Sequence, residues 1–112
     1  MEGRISIKVY MDGYDDGITK GEIVGHYNAL LDNIANRLTE HGIIIDKSKA
    51  SAGIDGDNVV FKLSYKAVFL RNFDSNELFR IVMDELRAAV DEENLSDYYV
   101  DADVSITLKR DV

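Results

Sequence analysis

Hydrophobic and polar residues alternate through 4-RISIKVYM-11, which turns Ile5, Ile7, Val9 and Met11 to one side of a predicted first strand. The period then changes. From about Lys20 to His41, the residues Ile23, Tyr27, Leu30, Leu31, Ile34 and Leu38 return every three or four positions, the signature of an amphipathic helix, and Gly42 follows as its stop. The run 43-III-45 opens a second strand that continues through Lys47, Lys49 and Ser51 toward Ile54, and 55-DGDN-58 is a hairpin signal. A third strand, 59-VVFKLSYKAVFL-70, alternates Phe61, Leu63, Tyr65, Ala67 and Phe69 against Lys62, Ser64 and Lys66. A second helix from Ser75 to about Glu92 carries Leu78, Phe79, Val82, Leu86 and Val90 as its apolar stripe. The closing strand, 98-YYVDADVSITLKR-110, sets Val100, Ala102, Val104, Ile106 and Leu108 against Asp101, Asp103, Ser105, Thr107 and Lys109.

Both helices are announced by their caps. Thr19 and Glu22 stand in the relation of a capping box, with Ile18 and Ile23 as a flanking apolar staple. The same device recurs at 73-FDSNEL-78, where Asp74 is the N-cap and Phe73 and Leu78 flank it. The order β-α-β-β-α-β predicts an α+β chain of the ferredoxin-like, split βαβ kind. Right-handed crossovers then place the first and third strands at the centre of a four-stranded antiparallel sheet, with both helices on one face. The second strand becomes an edge, where Lys47 and Lys49 suit the charged guarding that edges need.

The acidic stretch 12-DGYDDGITKGE-22 superficially matches a calcium loop. With Asp12 at position 1, however, position 3 is Tyr14 and position 12 is Ile23, and the segment entering the loop reads as a strand rather than a helix. The stretch is better explained as a polar strand-to-helix turn whose carboxylates face the positive end of the coming helix.

With 112 residues the chain fills one domain, 1–112, and without cysteine it has neither disulfides nor a thiolate metal site. No apolar run precedes Glu2 and Arg4, so neither a signal peptide nor a membrane span is expected, and a cytoplasmic setting follows. The net charge of −8 is unevenly placed. Residues 72–103 hold ten acidic and two basic side chains, whereas the remainder holds eleven of each. That is the reverse of a nucleic-acid footprint. Much of the acid forms a sign-alternating ladder on the second helix, Glu77, Arg80, Asp84, Arg87 and Asp91, as on a solvated face.

Catalytic groupings are sparse, and no enzyme, metal or cofactor is expected. His26 and His41 lie about 22 Å apart along one helix and cannot share a metal. His41 sits at the helix end, where a cation suits the dipole. The segment 13-GYDDG-17 lacks the spacing of a phosphate loop, and its acids repel phosphate. Paired carboxylates at Asp15-Asp16 and Asp91-Glu92-Glu93 stand in polar surroundings. On the open sheet face, Tyr10 could stack on a base, but Ser64 and Lys66 occupy the matching positions of the third strand, leaving only a modest basic surface with Lys8 and Lys62. The acceptor-like Asn94-Leu95-Ser96 is read as coincidence.

The helix 26-HYNALLDNIANRL-38, the strand 59-VVFKLSYKAVFL-70, the turn and helix 72-NFDSNELFRIVMDELR-87 and the closing 103-DVSITLKRDV-112 together resemble the tail-completion or tail-terminator proteins of long-tailed phages. That resemblance implies a non-enzymatic ring subunit that caps the tail tube and joins it to the head, in the host cytoplasm or the virion. The leading expectation is therefore a self-associating structural subunit. Its contacts would run through Lys47 and Lys49 on one side and Ile81, Asp84, Glu85, Asp91 and Glu92 on the other, with Ile81 exposed off the apolar stripe. The alternative is a small acidic binding module or inhibitor that docks on a basic partner through its second helix. Gene neighbourhood would separate the two.

Overall fold

The computed structural model describes residues 1–14, 17–54 and 59–109, and for 47–51 the backbone alone. Asp15, Asp16 and the hairpin residues 55–58 lie outside the described residues. The elements follow in the order β1 (Glu2–Met11), α1 (Lys20–Thr39), β2 (Ile43–Ile54), β3 (Val59–Phe69), α2 (Ser75–Glu92) and β4 (Tyr99–Lys109). The strands form an antiparallel sheet in the order β2-β3-β1-β4, which puts β2 and β4 at its edges.

Strand alternation decides where the core lies. Ile5, Ile7, Val9 and Met11 of β1 and Phe61, Leu63, Tyr65, Ala67 and Phe69 of β3 are buried on one face, together with Tyr27, Leu30, Ile34 and Leu38 of α1 and Leu78, Val82, Leu86 and Ala89 of α2. Burying each of the larger side chains contributes roughly 1.5–3 kcal/mol, so this two-layer cluster is the main source of stability. Tyr65 is fully buried, and its hydroxyl satisfies itself by donating to the Leu31 carbonyl at 2.8 Å.

The helix starts use the residues that announce them. Thr19 Oγ1 accepts from the Glu22 N–H at 3.2 Å, and Asp74 Oδ1 accepts from the Asn76 N–H at 3.2 Å. Helix α1 ends two residues before the expected His41. Gly42, at φ +79°, carries the chain into β2 in a left-handed conformation that suits glycine. The stop of α2 uses asparagine where α1 uses glycine. Asn94 takes φ +57°, its N–H donates to the Asp91 carbonyl at 3.1 Å, and the Leu95 N–H donates to the Val90 carbonyl at 2.8 Å. This is a Schellman stop with asparagine in the glycine position, and the buried Leu95 and Val90 are its apolar pair. Asn94 and Leu95 thus have a structural role in a tripeptide that reads as a coincidental glycosylation signal.

Three burial expectations need correction. Phe79 is 48% exposed rather than core. The buried stripe of α2 runs through Leu78, Val82, Leu86 and Ala89, and Phe79 falls on its flank, beside β4, where the sheet ends. Val100 is 62% exposed rather than inward. The β1–β4 register shifts between Tyr10 and Met11, which pair with Asp101 and Tyr99, so Val100 is the extra residue of a bulge and loses the alternation. Ile81, expected in solvent, is half-buried and packs against the core, because its side of α2 is the side turned toward α1.

Candidate functional site

Alternation leaves the second face of the sheet without helices. On its central strands Arg4 stands opposite Lys66, Ser6 opposite Ser64, and Lys8 opposite Lys62. Two like-charged pairs thus sit directly across one strand pair, each flanked by an acid on the next strand, Asp46 opposite Lys66 and Asp103 opposite Lys8. A hydroxyl row runs between them, and Arg4 Nη1 donates to Ser64 Oγ at 2.9 Å. Lys109 extends the cationic face where β4 pairs with Glu2, while Asp103 and Asp101 interrupt it beside Lys8 and Tyr10. The Tyr10 hydroxyl donates to Asp103 Oδ2 at 2.8 Å, and that hydrogen bond, with smaller contributions from desolvation and from Asp103 and Asp101, raises the phenol above its ordinary value. Two open depressions mark the face. One of about 390 Å³ lies among Ser6, Lys8, Ala52, Gly53, Lys62 and Ser64, and one of about 230 Å³ among Glu2, Arg4, Lys66, Thr107 and Lys109.

The helical face is organised around Arg37. Its guanidinium donates to Asn33 Oδ1 at 2.7 Å, to Glu85 Oε2 at 3.3 Å and to Glu92 Oε2. Desolvation works against the charge, but the hydrogen bonds to Glu85 and Glu92 outweigh it and hold Arg37 above its ordinary range. His41 Nε2 lies 3.0 Å from the other Glu85 oxygen, so His41 meets α2 instead of serving the end of its own helix, as the sequence suggested. Asn33 Nδ2 donates to Glu93 at 2.9 Å. The last turn of α2 contains no basic residue, and its acids are unfavourable at a helix C-terminus; α1 supplies the missing counter-charge from outside. A groove of about 480 Å³ over this seam is lined by Asp32, Asn33, Asn36, Arg37, Glu40 and Glu92.

The acidic contact residues expected on α2 are therefore not one free surface. Glu85 and Glu92 are held by α1, Ile81 is half-buried, and Asp84 and Asp91 face solvent, the latter within 3.4 Å of Ser96 Oγ. Lys47 and Lys49 lie on edge strand β2, and their side chains fall outside what is described. The Arg37 network has no sequence signal, because its members are brought together across sequence separations of 48 and 55.

A third grouping lies at the end of the sheet. Tyr14 stacks on Tyr98 with ring centroids 4.4 Å apart, and its hydroxyl lies 2.9 Å from His26 Nδ1. Asp12, first in the stretch that mimics a calcium loop, accepts from the Gly13 N–H at 2.7 Å. Among the described residues no group of three or more His, Asp or Glu is placed to hold a metal ion. No helix among them is long and apolar enough to cross a membrane.

No protein-family model matches the chain, and no curated protein matches it in sequence. Solved structures resemble it only distantly. The C-terminal domain of the MgtC protein from Mycobacterium tuberculosis is 12% identical with a TM-score of 0.47, over 93% of this chain and 86% of that one. A dimeric ferredoxin-like protein of unknown function from Thermobifida fusca is 17% identical with a TM-score of 0.44, over 94% and 89%. A hydantoinase/carbamoylase family amidase from Burkholderia ambifaria is 13% identical with a TM-score of 0.48, but this chain spans only 28% of it.

Proposed function

We propose that this chain is a non-enzymatic structural subunit that self-associates, of the kind that completes a phage-like tail as a ring, built on a ferredoxin-like, split βαβ fold. The observation that carries the reading is the cationic sheet face. Arg4, Lys8, Lys62 and Lys66 gather positive charge on the two central strands, with Asp46 beside Lys66 and Asp103 beside Lys8 offsetting part of it, and a counter-charged surface laid over this face gains from what remains. Most of the acidic surplus of residues 72–103 lies on α2 and the turn after it, with Asp84 and Asp91 directed to solvent, while Asp101 and Asp103 stand on the sheet face itself. A subunit with separated basic and acidic surfaces associates head to tail, and such heterologous contacts close into rings when the rotation permits. The chain's net charge of −8 opposes association at a distance, so the contact forms at high protein concentration or on a partner scaffold.

Light scattering over a range of protein and salt concentrations tests this. Assembly should grow with protein concentration, weaken with salt, and fall sharply in Arg4→Glu/Lys8→Glu. A strict monomer at millimolar concentration that captures a polycationic partner would replace the reading with that of an acidic docking module.

A further inference from the structure

Beyond that head-to-tail contact, we propose that the outer edge of β4 pairs antiparallel with β4 of a second copy about a two-fold axis at Ser105, joining two sheets into one of eight strands. Among the described residues no strand covers this edge, and β4 runs for eleven residues, Tyr99–Lys109, in a chain without proline. Such an edge presents a row of unsatisfied backbone groups.

The direction of those groups can be read. The Thr107 carbonyl stands against Gly3 of β1, so the odd-numbered residues of β4 address the sheet and the even-numbered ones face outward. In agreement, the Ala102 N–H donates at 2.8 Å to the Asp101 carboxylate. Outward amides at even positions must bond even-numbered partners, which restricts the two-fold registers to a few. Centring on Ser105 sets Val104 opposite Ile106 and Ala102 opposite Leu108. On the open face it sets Asp101 of each copy opposite Lys109 of the other, twice over. Centring on Val104 puts Lys109 opposite Tyr99, and centring two residues earlier, on Asp103, puts Asp103 opposite itself. Centring on Ile106 also matches Asp103 with Lys109 but shortens the described ladder. The Val104 register is longer but matches no opposite charges, and of the registers that do match them Ser105 gives the longest pairing.

The surroundings fit the same partner. At about 100° per residue, Phe79 and Met83 lie on the flank of α2 turned away from Glu85 and hence from α1. Phe79 is 48% exposed, and Val104, Ile106 and Leu108 beneath the helical layer are only half-buried although their alternation is that of a core strand. A second copy on the β4 edge extends the apolar layer over them. Asp101 guards the edge in the monomer by occupying the Ala102 amide, and on pairing it exchanges that amide for Lys109 of the other copy.

The chain has no native cysteine, so the register can be trapped directly. In the proposed arrangement Ser105 faces its symmetry mate in a non-hydrogen-bonded pair, at a Cα separation of about 4.5 Å, which a disulfide can span. Ser105→Cys should give a disulfide-linked dimer under mild oxidation, whereas Thr107→Cys, opposite Asp103 of the other copy, should not. In sedimentation equilibrium Lys109→Glu should raise the dimer dissociation constant about tenfold or more, and Asp101→Lys/Lys109→Glu should restore it. Equal cross-linking of both cysteine variants, or a Lys109→Glu protein that dimerises like the parent, overturns the proposal. Lys109 also borders the cationic face of the head-to-tail contact, so the Ser105→Cys disulfide, which changes no charge, is the readout that separates the β4 pairing from that contact.

Discussion

Tyr14 stacks on Tyr98 with its ring plane within 1° of parallel, which ties the turn after β1 to the turn before β4. The His26 ring completes the contact from α1, and burial, with a smaller contribution from Tyr98, pushes the Tyr14 phenol up to about 12. A proton held more tightly in the folded state stabilises it at every pH below the ordinary tyrosine value of about 10, and that contribution disappears as pH rises from about 10 to about 12. Because the phenol is incompletely shielded from water, the effect is modest. Urea titrations across that interval should show the stability of Tyr14→Phe falling less steeply than that of the parent. Parallel slopes would place the alkaline sensitivity elsewhere.

The element order was legible in the sequence because alternation and helical spacing alone set it, and the caps at Thr19 and Asp74 are local devices. Sequence and structure part where the environment of a residue depends on a neighbour distant in sequence. Phe79 has an apolar neighbourhood on a helical wheel, yet it overhangs the end of the sheet. Val100 keeps the right parity for a core position until the bulge removes it. The candidate surface divides similarly. Arg4, Lys8, Lys62 and Lys66 follow from alternation, but their face-to-face pairing depends on the β1–β3 register. Glu85 and Glu92 looked free because nothing near them in sequence announces Arg37.

The placements of Ile81 and Phe79 give opposite outcomes for the same substitution. Ile81→Asp puts a carboxylate into a half-buried apolar position at the α1–α2 seam, beside Glu85, and should cost about 2–3 kcal/mol in chemical denaturation. Phe79→Asp begins from a ring already half in water and should cost about 1 kcal/mol or less. Equal losses would contradict the orientation of α2.

Asn94 should tolerate change according to backbone rather than side chain. At φ +57° a β-branched residue is strained, so Asn94→Val should lose about 1–2 kcal/mol, while Asn94→Gly should be neutral or slightly stabilising. Thermal melts of the two variants check this. A destabilised glycine variant would show that the asparagine side chain, not the left-handed turn, is what the site requires.

Gly3 tests the seam between β1 and β4. Its backbone is not left-handed, so conformational freedom is not the reason for glycine there. The reason is space: a Cβ would meet the Thr107 carbonyl oxygen and come within 2.9 Å of the Phe69 ring. The ring can shift a little, but the carbonyl belongs to the ladder, so Gly3→Ala must spread β4 from β1. We expect a loss of about 1–3 kcal/mol, as for other overpacked sites. Hydrogen exchange locates the effect: amides of Ser105, Thr107 and Lys109, which address β1, should exchange faster in the variant, while those of β3 opposite Ile43 to Ile45 should change little. Uniform acceleration across the sheet would mean that the methyl group acts through the core at Phe69 and not through the β4 ladder.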